Sequence, residues 1–170
     1  MTIAKKKQKN YSYFMNFPKT IILRHKKENL HKCSLRGLEA REDFLFYTYP
    51  KDLLPPLDQA LLLTLEAPLL TPSDAPFSLF LIDGTWKHTK TMIEQLPKPH
   101  AFIKRSLPPE LKTAYPRRQE DCIDPKRGLA SIEALYAAYC ILQRDPKGLL
   151  DNYYWKDAFL EKNKDFFCCK

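Results

Sequence analysis

Residues 77–82 (FSLFLI) are almost wholly apolar and run straight into Asp83, Gly84, Thr85 and Trp86. A run this short, without polar alternation, predicts a strand covered on both faces, as in a parallel sheet. Parallel strands need crossover connections. Residues 85–96 supply one, since they lack helix breakers until Pro97 and Pro99. Further short strands are predicted at 20–24 (TIILR), 45–49, 61–65 and 101–105. Residues 129–142 are apolar nearly all round and predict a buried helix, and 152–164 a more amphipathic closing one. Residues 28–38 read as a polar loop opening a short helix, with Gly37 as its stop. Residues 106–127 read as a long, basic, proline-bearing functional loop. Strands alternating with helices indicate an α/β fold, one domain over residues 18–166.

Charge is distributed unevenly. Residues 1–27 hold eight basic side chains and no acid, which leaves 20 basic against 20 acidic residues in the rest of the chain. A basic flexible arm over 1–17 on a neutral body fits a polyanionic partner, and equally a solvated tail. No apolar stretch approaches the roughly 20 residues of a membrane span, and the start lacks the apolar core of a signal peptide, so the expected location is cytoplasmic. The five cysteines form no CxxC pair and no histidine lies near enough in sequence to complete a zinc site with them, so no metal site is expected. With only four glycines and no Walker-type loop, a phosphate-cradling NTPase is disfavoured.

The segment after the apolar strand places the Asp83 carboxylate at the carboxyl end of a buried strand, where open α/β sheets bind ligands. Trp86 offers a flat apolar wall to a small molecule. The plainer reading makes Asp83 or Thr85 a helix cap and Trp86 core. Glu133 is the one acid within 129–142. In the first turn of a buried helix it is either a structural cap or a ligand contact. Arg105, Arg117 and Arg118 make the middle loop basic and suit phosphate or carboxylate groups.

These segments occur in a particular order. Asp83 to Trp86 stand as the Asp-x-Thr-Trp signature that names the DTW domain. Arg105-Ser106-Leu107-Pro108 precedes Tyr115-Pro116-Arg117-Arg118, and Gly128-Leu129-Ala130-Ser131-Ile132-Glu133-Ala134 resembles that family's closing Gly-Leu-Ser-Thr-Ile-Glu-Ala helix. Upstream, residues 28–38 (ENLHKCSLRGL) resemble the Asp-Pro-Lys-Lys-Cys-Thr/Ser-Gly-x-x-Leu loop of the Tsr3-like proteins of ribosome biogenesis. Over residues 20–142 the chain thus resembles the DTW-domain and Tsr3-like aminocarboxypropyltransferases. It departs from them in carrying Leu35 where the loop has glycine, and in lacking the cysteine-rich metal site of many DTW proteins.

The resemblance implies a SPOUT-like parallel sheet flanked by helices, with a C-terminal trefoil knot. It implies S-adenosyl-L-methionine as cofactor. The implied reaction carries the 3-amino-3-carboxypropyl group to N3 of a uridine in RNA and releases methylthioadenosine, with transfer RNA favoured over ribosomal RNA. Asp83 would orient the substrate or accept the N3 proton. Ser34, Trp86, Leu129 and Glu133 would hold the cofactor, and Arg105, Arg117 and Arg118 the RNA. A monomer or weak homo-oligomer is expected. The competing functions are a SPOUT-like RNA methyltransferase and a non-catalytic RNA-binding or ribosome-assembly module.

Overall fold

A computed structural model describes residues 17–57, 59–96, 102–116 and 128–168. Five strands form one parallel sheet: β1 (Thr20–His25), β2 (Phe44–Tyr49), β3 (Leu61–Leu63), β4 (Leu79–Asp83) and β5 (Ile103–Arg105). Their spatial order is β2-β1-β4-β3-β5. Alternating side chains sort onto the two faces. Ile22, Leu61, Leu79 and Leu81 enter one apolar cluster, while Ile21, Leu23, Leu62 and Phe80 enter the other. Covering both faces explains why these strands read as unbroken apolar runs.

The first face is covered by α2 (Ser131–Ile141), with Ile132, Leu135 and Ala138 fully buried, and by α3 (Lys156–Lys162) through Phe159. The second is covered by α1 (Trp86–Glu94) through Met92. Each large apolar side chain buried in this way contributes about 1.5–3 kcal/mol. The expectation of a single α/β domain with a helix-flanked parallel sheet holds over the described residues. Residues 1–16 of the basic arm lie outside them.

Two local expectations need correcting. Gly37 does not stop a helix but leads into one, a 3-10 turn at Leu38–Ala40, with φ of 91°. A side chain there would also strike the Asn152 amide. The closing helix starts at Lys156 and breaks at Asn163 before α4 (Lys164–Cys168). The Asn163 side chain explains the break. It accepts from the Lys112 N–H (2.8 Å) and donates to the carbonyls of Lys112 (2.9 Å) and Phe159 (2.8 Å).

The chain leaves β1 toward one edge of the sheet, to β2, and leaves β4 toward the other, to β5. Between β1 and β4 the direction of winding reverses, and the crevice at the carboxyl ends of two such strands is where open α/β sheets take ligands. Arg24 and Asp83 are register partners at that point.

Candidate functional site

Asp83 ends β4 and is buried. Its Oδ2 accepts from Arg24 Nε at 3.0 Å and from the Cys33 thiol at 3.2 Å, and its Oδ1 accepts from the Ser131 hydroxyl at 3.2 Å. Arg24 in turn donates to Glu39 Oε1 at 2.8 Å and lies 4.7 Å from the centre of the Phe46 ring. One carboxylate therefore joins β1, the loop at residues 33–35 and the first residue of α2. Burial, and then the Asp83 charge, push the Cys33 thiol up to about 12. It stays protonated and is no nucleophile. Glu28, half-buried at the turn after β1, is raised above the ordinary carboxylate range by burial and by Asp83, against the pull of Arg24.

Beside this knot of polar groups lies a cavity of about 410 Å³, within the range of small-molecule sites. It opens where β3, β4 and β5 end. Leu62, Leu63, Leu81 and Leu129 give it apolar walls, Gly84 and Ser131 border it, and Glu66 and Lys104 bring both signs of charge to its exposed rim.

Glu133 sits behind the wall formed by α2 and is fully buried. Its Oε1 accepts from the Ala114 N–H at 2.8 Å and the Tyr153 hydroxyl at 2.9 Å. Its Oε2 accepts from the Ala130 N–H at 2.8 Å and the Thr113 hydroxyl at 2.7 Å. Ala130 precedes the helix without a side-chain cap, so Glu133 supplies the cap from within. Four donors occupy this carboxylate, which favours the structural reading of the residue.

The other expected site residues are scattered in their roles. Leu129 lines the cavity. Ser34 is half-buried on the loop next to Cys33 and is not among the cavity-lining residues. Trp86 is the first residue of α1, and its side chain lies outside the described part of the structure. Arg105 is held by Asp74, with Nη2 at 2.9 Å from Oδ1, and also donates to the Lys104 carbonyl, so its guanidinium is committed to the fold. Arg117 and Arg118 lie outside the described residues.

The chain is similar to Tsr3. The solved structure of the SAM-dependent rRNA:acp-transferase Tsr3 from Vulcanisaeta distributa superposes with a TM-score of 0.66 at 26% identity, covering 89% of this chain and 81% of that one. No protein-family model matches the chain, and no curated protein does. The likeness to Tsr3 supports that half of the sequence resemblance, whereas the DTW domain is matched by no family model. Among the described residues no helix is long and apolar enough to cross a membrane.

Sequence reasoning missed Arg24, Glu39 and Ser131. Arg24 left one signal, a lone charge closing the apolar run 20–24. Neither Glu39 nor Ser131 stands out until the strands are paired and α2 is docked.

Proposed function

We propose that this protein transfers the aminocarboxypropyl group of S-adenosylmethionine to N3 of a uridine in RNA, with ribosomal RNA as the substrate class. The observation that carries this reading is a mainly apolar cavity at the carboxyl ends of β3, β4 and β5, next to the point where the sheet reverses its winding, in a chain similar over most of its length to an enzyme of that chemistry. The residues present fit the cofactor. Leucine walls suit an adenine ring, and Glu66 and Lys104 at the rim complement an ammonium and a carboxylate. The sequence favours transfer RNA, but the likeness is to an enzyme of ribosomal RNA, and we follow the latter. A SPOUT-like knot remains part of this proposal.

When bound, the cofactor supplies an alkyl carbon already activated by its sulfonium, which leaves positioning and electrostatics to the protein. Leu129 and Ser131, which line the cavity, would hold it, and Ser34 and Trp86 are proposed to join them. Asp83 orients Ser131 and the loop at Cys33. Its three hydrogen bonds favour this orienting role over proton acceptance. Glu133 fixes residues 113–114 and the start of α2, so its effect on the cofactor is indirect. Arg117 and Arg118 meet RNA phosphates.

The test is to incubate the purified protein with S-adenosylmethionine and either ribosomal or transfer RNA, then weigh the nucleosides released. Aminocarboxypropyluridine from ribosomal RNA is expected, and the same product from transfer RNA alone would correct the substrate. A methylated nucleoside would make the protein a methyltransferase. An unmodified pool with no cofactor binding would leave an RNA-binding module.

A further inference from the structure

At the carboxyl end of β1, outside the cavity, the imidazoles of His25 and His88 are stacked with centroids 3.9 Å apart and planes within 17°. Tyr49, at the end of β2, stacks on His25 at 5.8 Å. The column thus draws rings from β2, β1 and the first turn of α1. None of these three residues is required by the polar knot around Asp83. All are partly exposed, as expected of a platform rather than a core. Lys26 and Lys27 follow His25 directly, Lys87 precedes His88, and all three lysines are exposed.

Gly84 connects this column to the cavity. It borders the cavity, and a side chain added to it would meet the Cβ atoms of His25 at 3.4 Å and His88 at 3.7 Å. The stack and the cavity are thus separated by the thickness of one backbone. Two imidazoles this close repel each other if both are charged. Burial, His88, Lys27 and Lys26 hold His25 below the ordinary histidine range, which keeps it neutral near pH 7. An aromatic face with exposed lysines beside it is the combination that single-stranded nucleic acid recognises, with bases stacking on rings and phosphates meeting ammonium groups.

We propose that the His25–His88 stack, with Lys26, Lys27 and Lys87, is the platform that seats an unpaired RNA nucleotide flanking the one presented to the cavity. This rests on the reading of the protein as an RNA-modifying enzyme and names the surface that receives the RNA.

The experiment measures affinity for a fluorescein-labelled single-stranded oligouridine of about 12 nucleotides by anisotropy across a salt series, using the full chain. His88→Ala should weaken binding about tenfold, and His88→Phe, which keeps an aromatic face, should restore it. The salt slope should stay unchanged in both. Lys26→Gln with Lys27→Gln and Lys87→Gln should lower the slope of log affinity against log salt by about 0.7 per lysine. Lys162→Gln with Lys164→Gln, on α3 and α4, should leave affinity within a factor of two. The proposal is overturned if His88→Ala binds as the wild type does, if phenylalanine fails to rescue, or if the α3–α4 lysines matter as much. Absence of binding by the wild type would also overturn it. Nucleoside masses judge the enzymatic reading separately, so a protein that modifies RNA while its stack variants bind normally loses the platform and keeps the function.

Discussion

Changing Glu133 to Gln removes a single charge and almost no volume, yet it should cost the fold dearly. Each oxygen of Glu133 accepts one backbone N–H and one hydroxyl hydrogen: Ala114 and Tyr153 on Oε1, Ala130 and Thr113 on Oε2. An amide nitrogen must replace one of them. The hydroxyl facing it can rotate and accept, but a backbone N–H cannot. In either orientation one backbone donor is left against another donor with no exposed surface at Glu133. Such a buried, unsatisfied group costs about 1–3 kcal/mol. The remaining bonds lose their charge assistance, which is worth roughly half their strength. The sum is about 3–5 kcal/mol, a large part of the 5–15 kcal/mol that holds a typical domain. In urea, with a slope of about 2 kcal/mol per molar, the midpoint should fall by roughly 1.5–2.5 M without a change of slope. A midpoint within about 0.3 M of wild type would refute the account of four committed donors.

Asp83→Asn should lower stability by about 2–4 kcal/mol, because the buried Arg24 loses the charge of one of its two carboxylates, and cofactor affinity should fall with it because the Ser131 hydroxyl must turn to accept from the new amide. Unchanged calorimetric melting and affinity would contradict that. For Asp74, Asp43 and Glu39, burial pushes the carboxyl up, but hydrogen bonds from Arg105, Arg41 and Arg24 outweigh it and hold each below its ordinary value. Their stabilisation is therefore complete above the unfolded pKa, about 4, and is lost as pH falls through the folded values. The thermal midpoint should drop between about pH 4.5 and 2.5, and a flat profile there would be evidence against these pairs. Cys33, pushed up to about 12, should resist iodoacetamide in the folded protein at pH 8 while exposed Cys168 reacts. Equal labelling by peptide mass would show the Cys33 site to be open.

Much of the fold was legible because burial on both faces leaves a plain mark. The apolar runs at 20–24, 77–82 and 129–142 all became core elements within a residue or two of their expected ends. Asp83 stands out in the sequence because it terminates such a run. What stayed hidden depends on side chains meeting across long separations. Glu133 looks the same as a cofactor ligand or as a latch until Thr113, Ala114 and Tyr153 are brought around it. Arg105 read as a phosphate ligand because its partner Asp74 lies 31 residues away. Gly37 reads as a stop because neither its positive φ nor the Asn152 contact that needs a glycine is visible in the sequence.

The far end of α2 has a consequence for how the chain is made. Arg144, just beyond the helix, donates to the carbonyls of Pro18, Ala75 and Phe77, while Tyr139 shares a hydrogen bond with Thr20 across 119 residues. During synthesis β1 emerges early, but the groups that satisfy its entry arrive more than a hundred residues later. A nascent chain halted before α2 has those carbonyls uncovered and lacks the pocket wall at residues 128–134. Such long separations slow folding. They also make it self-timing, since α2 closes the amino edge of the sheet and walls the cavity in one docking event. Incomplete chains should therefore be unable to hold the cofactor at all, whatever part of the sheet they have already formed.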